Sequence, residues 1–461
     1  MKLTAREIAA ACGGKLLCGD PETPVTSFST DSRDIRPGCF FVPLKGERTD
    51  AHIYIEATLA AGAAGTFTQY EKAPENDSHP WIYVRDCAKA LQQTAAWYRS
   101  RFSIPVVGIT GSVGKTTTKE MVALAFSAGF HTMRTQGNQN SQIGLPLTLF
   151  QLEPEHEAAV IEMGMSEFGE MSRLAAIARP DAAIMTNIGL SHIGQLKTQE
   201  NILREKLHIT DGFGPDNVLF INGDDPYLAT LRQGLPFPVI AYGMGETCDY
   251  RITNVESRKD GTAFQLAFAG QVLPVFVPAF GLHMAYNAAA AIAAARWAGI
   301  APEKAAKALA GYRPLAMRQQ QYEAGGILVI DDTYNASPDS MMGGVDVLCS
   351  LEVSGRRAAV LADMLELGEL SQEAHRKVGR YCGEKKLDFL FTVGEEARQI
   401  AAGAREVLPE MDCREFMDND SALAALREVL RPGDAVLVKG SRGMHTDEIV
   451  HGLLKGDIRI R

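Results

Sequence analysis

The stretch "VVGITGSVGKTTTKEM", Val106 to Met121, limits the fold more than any other part of the chain. Val106, Val107 and Ile109 form a β-branched run suited to a buried strand. Gly111 and Gly114 permit a tight turn whose backbone N–H groups approach an anion. Thr117 to Met121 suit a helix whose N-terminus faces that anion. In such a loop Lys115 reaches terminal phosphates and the Thr116 hydroxyl binds Mg²⁺. One letter departs from the usual G-x-x-x-x-G-K-[ST] spacing, because Ile109 stands where the first glycine belongs. An ordinary strand, turn and helix with an exposed lysine is the plainer alternative. The combined spacing favours a nucleoside triphosphate.

A strand that feeds a helix in this way belongs to a βαβ unit, and the chain repeats the pattern. Residues 1–102 mix short strands ("CFFVPL") with Ala-rich helical runs ("YIEATLAAGAAG"), and "RFSIP" resembles a linker. Residues 103–315 alternate apolar strands ("PVVGIT", "AAVIEMG", "AAIMTNIG", "NVLFIN") with helical patterns. Two β-rich runs, "AFQLAF" and "VLPVFVP", then precede the helical "NAAAAIAAARWAG". Residues 316–461 repeat the alternation with "GILVIDD", "AAVLADM", "DFLFTVG" and "AVLVKGS". The expectation is three α/β domains at 1–102, 103–315 and 316–461, the latter two with mainly parallel sheets. A length of 461 residues suits about three domains at roughly 150 residues each.

Composition narrows the class. Hydrophobic residues make up 46% and charged residues 22%, as in a soluble globular protein. A formal charge of −10 argues against a broad nucleic-acid surface while leaving room for a local anion pocket. The eight cysteines are scattered singly, without metal-ligand spacing, which favours a reduced cytosolic protein over a disulfide framework. No apolar run reaches transmembrane length, and "MKLTAREIAAACGG" lacks a signal-peptide core. A cytoplasmic protein with no membrane insertion is expected.

Ligands of parallel sheets collect beyond the carboxyl ends of the strands, where several polar motifs fall. Glu162 in "VIEMG" can hold a hard cation through oxygen, or be a solvated strand-end acid. "TNIGLSHIGQLKTQENILREKLHI" carries His192 and then Lys206, and its Glu200 lies four positions before Arg204, a spacing for a surface salt bridge. In "GLHMAYNAAAAI", His283 and Asn287 share a helix face if the helix begins that early; otherwise Asn287 is its cap. In "DDTYNASPDSMM", Asp332 and Asn335 bind a ligand or merely start a helix. In "VKGSRGMHTDEI", Lys439 and Arg442 form an anion clamp or an exposed turn.

Taken together these motifs resemble the Mur ligases, ATP-dependent amide-forming enzymes of peptidoglycan synthesis. "TGSVGKTTTKE" is similar to the family's phosphate loop, which has no earlier glycine. "TQGNQNSQIGLPLTL", "NGDD" and "GLHMAYN" extend the likeness, and "DSRDIRPGCFFVPLKGERTDAHIYIEATLAAGA" resembles the family's uridine-nucleotide domain. Where family members often have D-G-H, this chain has Asp50-Ala51-His52, which leaves the loop geometry open. "DDTYNASPDSM", "VLADMLELGELSQEAH" and "VKGSRGM" resemble the member that joins D-alanyl-D-alanine to UDP-MurNAc-tripeptide; the D-N-P-R signature of the diaminopimelate-adding relative is absent.

The resemblance implies a set of roles. Gly111, Ser112, Val113, Gly114, Lys115, Thr116 and Thr117 would hold ATP, with His283 and Asn287 on the adenine side. Arg318, Asp332 and Asn335 would reach phosphate and ribose from the third domain. Thr116, Glu162, His192 and Lys206 are implied at the Mg²⁺ sites, Lys206 as a carbamylated lysine; Lys115, His192 and Lys206 are the implied catalytic residues. Ser29, Asp31, Ser32, Arg33, Lys45, Gly46 and Arg48 would take the uridine-nucleotide end, and Asn138 and Asn140 would line the path to the reacting carboxylate. The implied partners are the two substrates, with no nucleic acid, and the chain is expected to be a monomer. Folylpolyglutamate synthetases share much of this ATP machinery but lack the uridine-type motif. A P-loop kinase would stop at a phosphorylated acceptor, and a silent binding module has no need of the whole set.

Overall fold

The apolar strands and helical runs assemble into a mixed α/β architecture in which parallel pairing predominates. The computed structural model of the chain describes residues 1–73, 77–455 and 459–460. Contacts divide them into two compact units, one of Met1–Thr110, Gly129–Ile184 and Glu205–Leu219, the other of Gly111–Ala128, Met185–Arg204 and Phe220–Arg461.

The first unit begins with a five-stranded sheet in the order Lys15–Cys18, Trp81–Tyr83, Gly65–Thr68, Cys39–Phe41, Ser27–Ser29. Its last four strands are parallel, and Lys15–Cys18 runs against them. Cys39, Phe41, Ile55, Leu59 and Trp81 bury one face. Phe40 and Phe67 meet edge to face, with ring centroids 4.9 Å apart. Helix Cys87–Arg99 follows, opened by Asp86, whose side chain accepts from the Lys89 N–H. Arg99 near its end is buried and donates to the carbonyls of Phe102 and Ala178. The same unit contains strands Val106–Thr110, Ala158–Glu162 and Thr132–Arg134, with Ala158–Glu162 in the middle and all three parallel. Every residue of Val106–Thr110 and Ala158–Glu162 is buried and nearly all are apolar, as expected of strands covered on both sides.

In the second unit, helix Lys115–Phe126 packs on helices Leu282–Trp297 and Pro302–Leu309. From Ala288 to Ala295 every residue of Leu282–Trp297 is buried, and seven of the eight are alanines, so neighbours approach its backbone on all sides. "AFQLAF" and "VLPVFVP" form the antiparallel strands Gly261–Phe268 and Gln271–Val277. The carboxyl-terminal sheet has the order Asp412–Phe416, Phe389–Val393, Arg357–Ala362, Ala435–Lys439, Ile327–Asp331, Gln320–Ala324, Arg459–Ile460. Its first five strands are parallel. Gln320–Ala324 reverses into Ile327–Asp331 through Gly325 and Gly326, at φ +58° and +80°. Two left-handed residues are what a two-residue hairpin turn needs to match strand twist.

On one face of this sheet, helices Ser371–Glu384 and Arg398–Val407 touch backbone to backbone. A Cβ at Gly403 would fall 2.2 Å from the Arg376 carbonyl oxygen, and one at Gly379 would fall 1.9 Å from that of Ile400. The glycines therefore set the helix spacing. Gly403→Ala is expected to destabilise the protein by about 1–3 kcal/mol through overpacking, measured as a lower urea midpoint for the carboxyl-terminal sheet. An unchanged midpoint would mean that the helices separate at little cost.

Candidate active site

The position of Ile109 accounts for the missing glycine. Ile109 is the fully buried fourth residue of strand Val106–Thr110, so the chain leaves the sheet only at Gly111. Gly111 has φ +152°, and a Cβ there would fall 1.8 Å from Thr186 Oγ1. Gly114, at φ +83°, caps helix Lys115–Phe126, whose first turn points its N–H groups into the loop.

Two residues that sequence reasoning did not select brace this loop. Asn187 accepts the Ser112 N–H through its carbonyl (3.0 Å) and the Val113 N–H through its side-chain oxygen (2.8 Å). Thr186 Oγ1 donates to the Val113 carbonyl at 2.6 Å, and Ser112 Oγ accepts the Gly189 N–H at 2.9 Å. Asp225 of "NGDD" secures the bracing segment by accepting the Ile188 N–H, and is itself held by the N–H groups of Tyr227 and Leu228 in its own turn. The polar pair in "TNIG", directly after an apolar strand, was the available signal. Lys115 folds back over the loop and donates to the carbonyls of Gly111 (2.8 Å) and Ser112 (3.3 Å). A cavity of about 410 Å³ lies beside the brace, with Asn187, Asp225, Tyr227 and Tyr286 among its walls.

The helix carrying His283 and Asn287 does begin early, at Leu282, so Asn287 lies within it and is not its cap. Asn287 Oδ1 accepts from Thr118 Oγ1 at 3.0 Å, while its Nδ2 is buried without a hydrogen bond. His283 Nε2 is 3.1 Å from Gln319 Oε1, and burial holds the imidazole below its ordinary pKa, so the neutral ring is favoured. Arg318 donates to Thr116 Oγ1 at 3.0 Å and lies over the Tyr334 ring, 3.9 Å from its centroid. Met317 and Gln319 on either side both have left-handed backbone, φ +62° and +55°. The structure thus brings Arg318, Thr116 and the phosphate loop together.

Lys439 is neither an exposed turn nor an open anion clamp. It is 3% exposed and donates to Asp332 Oδ2 (2.7 Å) and the Asn335 carbonyl (2.9 Å), tying "VKGS" to "DDTYN". Asn335 is exposed, with its Oδ1 on the Ala336 N–H. Arg442 pairs with Asp447 at 3.2 Å. His192 has left-handed backbone, φ +64°, and its Nδ1 is 2.9 Å from Glu366 Oε2.

In the first unit, Glu162 ends its strand almost fully buried, with Asn140 Nδ2 on Oε1 at 2.7 Å and its own N–H on Thr135 Oγ1. A solvated strand-end acid is therefore ruled out. Asn138 is exposed in the preceding turn, and its carbonyl accepts the Asn140 N–H. Lys206 is 1% exposed, so it is no surface lysine. Its neighbour Glu205 accepts from the N–H groups of Gly169 and Met171 at the start of helix Glu170–Ala178. Among the described residues no ion pair joins Glu200 to Arg204, contrary to the expected salt bridge.

The candidate uridine-nucleotide residues form two turns. Ser29 Oγ exchanges hydrogen bonds with the backbone of Asp31, whose carboxylate takes Arg33 in a fork at 2.9 and 2.7 Å. Arg33 beside it pulls the Asp31 carboxyl down to about 2. Ser32 lies inside this turn, partly exposed. In the second, the Gly46 N–H bonds to the Thr49 carbonyl, Lys45 lies 3.7 Å from Asp50 and Arg48 is exposed. Ala51 has no left-handed φ, so the loop of Asp50-Ala51-His52 does not require glycine at that position. Asp50 holds His52 Nδ1 at 2.5 Å, and His52 Nε2 accepts the Gln69 N–H.

Comparison with known proteins agrees with this architecture. The Mur ligase middle domain matches residues 109–295, and the Mur ligase glutamate ligase domain matches residues 317–442. The UDP-N-acetylmuramoyl-tripeptide–D-alanyl-D-alanine ligase of Bacillus subtilis is 38% identical, covering 99% of this chain and 100% of its own. The enzyme of that name from Escherichia coli is 31% identical, with 98% of each chain covered. Among solved structures, MurF from Acinetobacter baumannii superposes with a TM-score of 0.90 at 30% identity over 99% of each chain. MurF ligase from Thermotoga maritima in complex with ADP gives 0.82 at 27% identity, over 94% of this chain and 97% of its own. With family models matched over residues 109–295 and 317–442 and relatives up to 38% identical along almost the whole chain, this chain belongs to the Mur ligase family.

Proposed function

We propose that the protein is an ATP-dependent amide ligase that joins D-alanyl-D-alanine to UDP-N-acetylmuramoyl-tripeptide through an acyl phosphate. The observation that carries this reading is likeness along the whole length to ligases of that name, 38% identical in the Bacillus subtilis case. The braced phosphate loop and the buried Asn287 amide with an unused donor support the ATP part. Residues 1–102 would serve the uridine nucleotide, 103–315 ATP and 316–461 the closing of the site. A cytoplasmic monomer completes the proposal; among the described residues no helix is long and apolar enough to cross a membrane.

The chemical difficulty is repulsion, since an anionic carboxylate must approach an anionic triphosphate. Lys115 and the N–H groups of the loop would draw charge off the terminal phosphates, and Arg318 would reach them from Thr116. Asn287 Nδ2 supplies a donor for the base. A carboxylate oxygen of the tripeptide attacks the γ-phosphorus and ADP leaves. The dipeptide amine then attacks the acyl carbon, loses a proton, and expels inorganic phosphate that retains the peptide's oxygen. Asn140, held on Glu162, and Asn138 would line the carboxylate's approach. Water must be kept from the acyl phosphate, and closure of the third region would do so.

The donor set fits Mg²⁺. Among the described residues no group of three or more His, Cys, Asp or Glu is arranged to hold a metal. Mg²⁺ commonly needs only one or two protein oxygens besides substrate phosphates. Thr116 and the buried Glu162 carboxylate would supply hard oxygens, with His192 at a second position. A carbamate on the buried Lys206 would replace a repelling ammonium by anionic oxygens. Bound there, the metal would screen phosphate charge.

Three measurements test the proposal. Tripeptide labelled with ¹⁸O in its terminal carboxylate should deliver one labelled oxygen to phosphate per amide formed. Unlabelled phosphate during amide formation would remove the acyl phosphate, and a phosphorylated product without amide would indicate a kinase. Lys206→Ala should lose most activity and regain part of it with added short carboxylates; an unimpaired variant would remove the carbamate role. Asn187→Ala leaves the Val113 N–H without its acceptor, a loss of about 1–3 kcal/mol. It should raise KM for ATP about tenfold while leaving KM for the dipeptide nearly unchanged, as steady-state kinetics would read.

A further inference from the structure

Two residues outside the glycine class face each other with left-handed backbones. His192, at φ +64°, comes from the segment after strand Ala182–Met185; Glu366, at φ +67°, comes from the loop after strand Arg357–Ala362. Such a conformation is costly for a side-chain-bearing residue and persists where surrounding contacts enforce it. Those contacts are present. The Met364 N–H bonds to His375 Nε2 in helix Ser371–Glu384 and the Leu365 N–H to Ser441 Oγ just after strand Ala435–Lys439, both at 2.9 Å, so the loop is pinned as far as Leu365. Beyond this anchor the Glu366 carbonyl accepts the Gly194 N–H at 3.2 Å. A Cβ at Gly194 would fall 2.9 Å from that carbonyl oxygen, and one at Gly368 would fall 3.3 Å from Gly194 Cα. Close approach of the two loops therefore depends on Gly194. The approach sets Glu366 Oε2 2.9 Å from His192 Nδ1. That separation is within hydrogen-bond reach, and the buried Nδ1 has no formed hydrogen bond to any other group.

We propose that Glu366 is a positioning residue for His192: its carboxylate keeps the imidazole proton on Nδ1 and so leaves Nε2 as the ring's free electron pair. A histidine that serves a metal commonly gives its other N–H to a carboxylate, which fixes tautomer and ring direction. Here the carboxylate arrives on a different region of the chain from the histidine. Docking of the loop Met364–Gly368 thereby readies His192, and the ligand position is competent only with the third region in place. The metal part of this inference rests on the ligase reading given above; the tautomer part does not.

The test uses the full-length protein enriched with ¹⁵N-histidine, with the His192 ring signals identified by their loss in His192→Gln. At a pH where the ring is neutral, the wild type should show Nδ1 protonated. Glu366→Gln keeps an acceptor oxygen and should retain that tautomer. Glu366→Ala should shift His192 to a mixture with Nε2 protonated, and Gly194→Ala should do the same with Glu366 still present. Mn²⁺ affinity in the presence of ADP, read by electron paramagnetic resonance, should fall about 10–100-fold in Glu366→Ala and much less in Glu366→Gln. Unchanged His192 signals in a folded Glu366→Ala protein would overturn the proposal, as would equal losses of Mn²⁺ affinity in the Ala and Gln variants. A wild type that forms no amide yet shows the Glu366-dependent tautomer overturns the ligase reading and upholds the positioning role.

Discussion

The second unit is organised by the bracing of one glycine turn. Phosphate-binding loops present N–H groups to solvent with few contacts of their own, and a loose loop would collapse onto its own donors. Here Asn187 takes the Val113 N–H and Thr186 donates to the Val113 carbonyl, so the peptide units around Ser112 and Val113 are held from outside. Room for Thr186 exists only because Gly111 has no side chain. Asp225 then holds the bracing segment through the Ile188 N–H, while its other oxygen is fixed by the N–H groups of Tyr227 and Leu228 in its own turn. Rigid placement of donors before charge arrives is the condition under which backbone dipoles stabilise phosphate effectively.

Much of this was legible in the letters because its cause is local. Buried parallel strands must be apolar on both faces, so "PVVGIT", "AAVIEMG", "DFLFTVG" and "AVLVKGS" identified themselves. Glycine at positions 111 and 114 reports local backbone needs, whereas the 283/287 spacing left open whether Asn287 lay inside its helix or capped it. What stayed illegible depends on partners distant in sequence. Asn187 meets Val113 across 74 positions and Lys439 meets Asp332 across 107. An amide or an ammonium at a strand end has the same letter whether it faces water or a buried carboxylate. The burial of Lys439 and the pairing of Glu366 with His192 therefore became visible only in three dimensions.

Glu162 and Lys206 make the complementary case. Their letters suggested either solvent exposure or function, and burial removes the first option for both. A charged group deep in a protein is expensive unless it is partnered, and Asn140 meets one oxygen of Glu162. The uridine-type turns behave differently, since Arg33 and Asp31 neutralise each other at the surface. There the family resemblance carried more than the physics of single residues did.

The short run Met317-Arg318-Gln319 has a mechanical implication. With a left-handed residue on each side of Arg318, the backbone is held in a costly conformation that persists only where its contacts enforce it. A long side chain on an unconstrained backbone would sample many rotamers. Stacked on Tyr334 and bonded to Thr116, the guanidinium of Arg318 is fitted in place beside the glycine turn by groups far from it in sequence.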